Sequence, residues 1–148
     1  MNKRDLRTIL LVEDSMADAE MAIDALREAK LANPVVHVED GVECLDWLYR
    51  RGQYADRAEG DPSVILLDIK MPRMDGLEVL KQLRTEDKWK RLPVVILSSS
   101  REESDLARSW DLGVNAYVLK PVDVQQFFTA VQTLGHFWAV LNQRPDGE

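Results

Sequence analysis

Five short apolar runs, each followed by an amphipathic stretch, constrain this chain more than any other feature. The runs are Thr8–Val12, Val35–Val38, Ser63–Leu67, Pro93–Leu97 and Ala116–Leu119. Four of them are continuous rather than alternating, which is the pattern of strands covered on both faces. Helical periodicity fills the intervals. It begins at Asp18 with Met21, Ala22, Ala25, Leu26 and Ala29 on one face, runs over Val42–Arg51 with Leu45 and Leu48, and resumes near Asp75-Gly76 with Leu77, Val79, Leu80 and Leu83. A fourth helix is expected over Glu102–Leu112, stopped by Gly113, and a fifth over Val124–Asn142. Gly52–Pro62 is polar and turn-rich and reads as a loop. Strict β/α alternation with right-handed crossovers predicts an α/β fold, a doubly wound, five-stranded parallel sheet.

A length of 148 residues suits one domain with a proper core. The first apolar run is too short for a signal-peptide core or a membrane span, so no membrane association is expected and the cytoplasm is the expected compartment. Cys44, the lone cysteine, cannot form an internal disulfide and reads as a small packing residue. The net charge of −7 repels nucleic-acid phosphates, and the short clusters Arg50-Arg51 and Lys88–Arg91 read as solvated surface. Nucleic acid is therefore not an expected partner.

Sites in open parallel sheets form beyond the carboxyl ends of the strands. Here strand one ends in Glu13-Asp14, strand three in Asp68, strand four in Ser98 and strand five in Lys120. Taken singly, an acidic residue after a strand is most often a helix cap or a turn residue. Taken together, the four strand ends supply compatible chemistry. Three carboxylates in one cleft repel each other, so either a cation joins them or one takes up a proton, and an all-oxygen donor set in a shallow site suits Mg2+. A nucleophilic carboxylate, a hydroxyl, an ammonium and a metal are the parts phosphoryl transfer requires.

These residues resemble the receiver domain of two-component response regulators, over about residues 6–135. The resemblance rests on Glu13-Asp14, Asp68, the segment Lys70-Met-Pro-Arg-Met-Asp-Gly76, Ser98 and Lys120-Pro121. It implies a flavodoxin-like fold, with Asp68 as phosphoacceptor and a sensor histidine kinase as donor. It also implies Mg2+ on Asp14, Asp68 and the backbone carbonyl of Lys70, with Glu13 holding metal-bound water and Ser98 and Lys120 holding phosphoryl oxygens. Tyr117 would be the switch aromatic coupled to Ser98, and the Lys120-Pro121 bond is expected to be cis. Glu13 and Ser98 stand where aspartate and threonine are more frequent; both keep the function of the group, and the longer reach of Glu13 leaves direct and water-mediated metal contact both open. The loop at Arg51-Gly-Gln-Tyr54, the segment from Lys120 to Phe128 and the aromatic tail are similar to stand-alone regulators paired with bacterial phytochromes.

The last helical stretch carries a seam at Val124, Phe127, Val131, Leu134, Trp138 and Leu141, with Phe128, Phe137 and Val140 off it. The surplus apolar surface suggests a homodimer through Phe128, Phe137 and Trp138; coverage of the sheet edge within one chain is the competing reading. A flavin- or nucleotide-binding protein on the same architecture would need a glycine- or hydroxyl-rich loop after strand one. The loop here, Glu13-Asp-Ser-Met16, is acidic and has no glycine. A pseudo-receiver that acts only by binding is disfavoured by the intact acidic set.

Overall fold

A computed structural model describes residues 7–29 and 33–132. Its five strands, β1 (Ile9–Val12), β2 (Val35–Val38), β3 (Val64–Asp68), β4 (Val94–Ser98) and β5 (Ala116–Leu119), form one sheet in the order β2-β1-β3-β4-β5. Every pairing is parallel. The helices are α1 (Met16–Glu28), α2 (Gly41–Tyr49), α3 (Gly76–Arg84), α4 (Arg101–Ser109) and α5 (Val124–Gln132). This is the expected doubly wound α/β sandwich.

Alternate residues of the same strands feed two separate cores. Leu10, Val12, Ile65, Leu67, Val94 and Ile96 pack with α2 and α3 through Trp47, Leu48, Val79, Leu80 and Leu83. Ile9, Leu11, Val64, Leu66, Val95 and Leu97 pack with α1 and α5 through Ala22, Leu26 and Phe127. Burial on both faces is why these strands are continuous apolar runs. Cys44 is fully buried in the first core, as expected of a packing residue, and burial raises its thiol pKa.

Each helix start is closed by a side chain. Ser15, Asp40, Asp75 and Ser100 accept from the amides of Asp18, Glu43, Glu78 and Glu103, and Asp123 accepts from Gln126. Such caps contribute about 1 kcal/mol each.

Several boundaries and burials depart from the sequence expectation. α2 stops at Tyr49 because Arg50 turns left-handed (φ 57°) as its C-cap. α4 ends at Ser109, three residues before Leu112, and Asp111 is left-handed. The Gly52–Pro62 loop contains a 3-10 turn over Gly52–Tyr54. Met21 faces solvent, and Ala19 takes the buried place on α1. Within the basic cluster, Lys88, Lys90 and Arg91 are exposed, but Trp89 is core. The α5 seam is described only as far as Gln132; Phe137 and Trp138 lie outside the described residues, as does the side chain of Phe128.

α3 enters close under the end of β3. The Gly76 amide donates to the Ile69 carbonyl (2.7 Å), and a Cβ on Gly76 would overlap the Asp68 carbonyl oxygen and lie 3.1 Å from Ile69 Cα. Both neighbours are backbone and cannot swing aside. Gly76→Ala is therefore expected to cost roughly 1–3 kcal/mol, read as a lower urea midpoint with an unchanged slope.

Candidate functional site

Sheet register gathers the site. Val12 pairs with Leu67, so Glu13 and Asp68 leave the same row side by side. Asp68 pairs with Leu97, which sets Ser98 next to it, and Ser98 pairs with Leu119, which sets Lys120 beside Ser98. The Lys120 amide donates to the Ser98 carbonyl (2.8 Å), and the Lys120-Pro121 bond is cis. The four strand ends singled out in the sequence thus meet at one edge.

Carboxylate oxygens of Glu13, Asp14 and Asp68 lie within 4.8 Å of one another. Glu13 and Asp68 are buried, and Asp14 is exposed at the mouth. Lys120 Nζ lies 3.2 Å from Glu13 Oε1, 3.3 Å from Asp68 Oδ1 and 3.1 Å from Asp18 Oδ2. Asp18, on the first turn of α1, is a site neighbour that sequence reading missed. Its only signal was its place on the helix leaving the acidic loop. Glu13 is further fixed by the Ser15 amide, which donates to Oε2 (3.1 Å), and its carbonyl meets His37 Nε2 at 2.7 Å.

One ammonium cannot balance these four carboxylates. Neither buried oxygen of Asp68 has a hydrogen-bond partner of ordinary geometry among the described residues. Burial, then the negative charge of Glu13, pushes the Asp68 pKa from 3.8 to about 8, and Lys120 only partly opposes this. Burial also works against the Lys120 charge, but Asp68, Asp18 and Glu13 outweigh it and raise that pKa. Orphaned carboxylate oxygens in an all-oxygen, net-negative cluster open to solvent at Asp14 fit a hard divalent cation.

The remaining expected residues flank this cluster. Lys70 lies on the loop after β3, and its ammonium pairs with Glu103 (3.8 Å) at the start of α4. Tyr117 is half-buried, with the Arg108 guanidinium 3.9 Å from its ring centroid. Its ring borders an open groove of about 400 Å3 with Arg101, Asp105 and Leu119. Burial raises the Tyr117 pKa, against the opposing charge of Arg108.

The model of the response regulator receiver domain matches residues 9–132. The chain belongs to that family. It is 35% identical over 132 residues to response regulator Rcp1 of Synechocystis sp., a match spanning 89% of this chain and 88% of the relative. Among solved structures it resembles the bacteriophytochrome response regulator RtBRR (53% identity, TM-score 0.85, covering 96% of this chain and 86% of the other). It also resembles a Mn2+-bound form of Rcp1 (34% identity, TM-score 0.73, covering 94% and 99%). The chain is thus a receiver-domain response regulator related to phytochrome-associated regulators, and the family implies phosphorylation on an aspartate and a divalent cation in the acidic pocket.

The raised Asp68 pKa sets a pH signature. A carboxyl whose folded pKa lies above its unfolded value adds stability that is complete below about pH 4 and lost as pH rises through about 8. In EDTA, Asp68→Asn is therefore expected to raise the melting temperature, with a gain that grows from pH 4 to pH 9. Relief of a buried group without partners is typically about 1–3 kcal/mol, or several degrees at this chain length. A pH series of melting curves for both proteins checks it.

Proposed function

We propose that Asp68 is the phosphoacceptor of a two-component relay, charged by the phosphohistidine of a sensor kinase, with a bacteriophytochrome as the partner. The observation that carries this reading is the buried Asp68 carboxylate, which faces Glu13 and Asp14 and has, among the described residues, no ordinary hydrogen bond beyond the Lys120 ammonium 3.3 Å from Oδ1. An Asp68 oxygen forms a bond to phosphorus as the phosphorus–nitrogen bond to the donor imidazole breaks, and the ring keeps the electron pair. The product is an aspartyl phosphate. Lys120 and the Ser98 hydroxyl serve the phosphoryl oxygens, where developing negative charge needs donors fixed in advance. Asp14, Asp68 and the Lys70 carbonyl would hold Mg2+, with Glu13 holding its water, and the ion would supply the positive charge that lets Asp68 stay ionised near neutral pH.

The phytochrome assignment draws on the 53% identity to a bacteriophytochrome response regulator. Transfer itself calls on no residue beyond the cluster, so the protein acts as an acceptor that relays rather than turns over a separate substrate. Phosphorylation adds charge beside Ser98 and biases the arrangement of Ser98, Tyr117 and α4. Output then leaves through a homodimer using the last helix, with Phe128, Phe137 and Trp138.

Two measurements test this. Incubation with a labelled small phosphodonor should label the wild-type protein only with Mg2+ present, and Asp68→Asn should abolish the label; metal-independent labelling, or labelling of the variant, contradicts the assignment. Sedimentation should show a concentration-dependent dimer, weakened by Trp138→Ala, whereas a monomer at every micromolar concentration, phosphorylated or not, contradicts the dimer.

A further inference from the structure

The loop between β3 and α3 is tied to a helix start far away in sequence. Arg73 Nε donates to Asp40 Oδ2 (2.9 Å) and Nη2 to Oδ1 (3.0 Å), across 33 residues. Asp40 is also the N-cap of α2: the same Oδ1 accepts from the Glu43 amide at 2.8 Å. Its side chain is 12% exposed, while that of Arg73 is 59% exposed. α2 is anchored in the core through Trp47 and Leu48, so Asp40 is the fixed partner and the loop is the part being placed.

Three further features show how tightly that loop is specified. Arg73 sits at φ 66°, a left-handed conformation that favours glycine or asparagine, in a place where the guanidinium's two bonds hold it. The Gly41 amide donates to the Met74 carbonyl (3.2 Å), and a Cβ on Gly41 would overlap that oxygen. The Met74 amide donates to the Pro72 carbonyl (2.7 Å), closing the turn that contains Arg73.

We infer that Arg73 is a positioning residue of the cation site: its paired hydrogen bonds to Asp40 hold the Ile69–Asp75 loop in the shape that presents the Lys70 carbonyl beside Asp68. This rests on the proposed reading of that carbonyl as a cation ligand. Arginine is required because only a planar fork makes two parallel bonds to one carboxylate; a lysine would keep the charge and lose the orientation.

Titration with MgCl2 alone, read as the rise in melting temperature of the full chain, tests the role. Arg73→Gly removes the guanidinium while relaxing the left-handed backbone, and Asp40→Asn breaks the ion pair while keeping a good N-cap. Each is expected to raise the half-saturating Mg2+ concentration about tenfold, the lower end of the effect of groups that orient metal ligands. Arg73→Lys should fall between, and the double variant should match the singles because both remove one interaction. Melting temperatures in EDTA should fall less than those in saturating Mg2+. Unchanged half-saturation in both singles, or equal losses in EDTA and in Mg2+, overturns the positioning role. Asp14→Asn calibrates the assay: if it loses Mg2+ binding and Arg73→Gly does not, only the positioning role falls. If the wild-type protein shows no Mg2+ response, the proposed cation site falls with it.

Discussion

Lys120 is the interaction on which the site depends. Its ammonium bridges Glu13 from β1, Asp68 from β3 and Asp18 from α1, and so ties the far strand of the sheet to its centre. The attraction is strong because Glu13 and Asp68 are buried and water screens them little. It is also insufficient, because one positive charge faces a group of carboxylates that includes Asp14 at the mouth. The protein keeps this imbalance at one spot and surrounds it with two well-filled cores and a full set of helix caps. The local cost of burying Asp68 is what leaves its oxygens without ordinary hydrogen bonds among the described residues, and the proposed acceptor role rests on that.

The same geometry explains how a local event could reach a surface. Ser98 ends β4, and the next residue, Ser99, gives its amide to Glu103 (2.8 Å) at the start of α4. Glu103 in turn pairs with Lys70 on the loop behind Asp68. Tyr117 lies on β5 beside the same helix, under Arg108. A change of charge at Asp68 therefore has short routes to α4 through both Lys70 and Ser98.

Most of the fold was legible because parallel strands covered on both faces leave no polar alternation to confuse, as in Val94–Leu97. The site was legible because sheet register brings successive strand ends together, so Glu13, Asp68, Ser98 and Lys120 could be paired without knowing a distance. What was missed depends on contacts between distant parts of the chain. The Arg73–Asp40 pair joins residues 33 apart and has no local signature. Trp89 looked like part of a solvated basic cluster because charge dominated its neighbours, yet the bend after α3 turns it inward. Met21 fits the helical stripe of α1 but stands exposed, because the small residues Ala19, Ala22 and Ala25 let that helix lie close to the sheet. Helix ends at Tyr49 and Ser109 were set by left-handed residues that carry no glycine signal.

The central claim is that one particular carboxylate carries the phosphoryl group. An aspartyl phosphate is reduced by borohydride to homoserine, which marks the modified position permanently. After incubation with Mg2+ and a phosphodonor, followed by borohydride and peptide mass analysis, the account predicts homoserine at position 68 and at no other aspartate. Homoserine at position 14 or 18, or its absence from the fully recovered peptide containing Asp68, would contradict it.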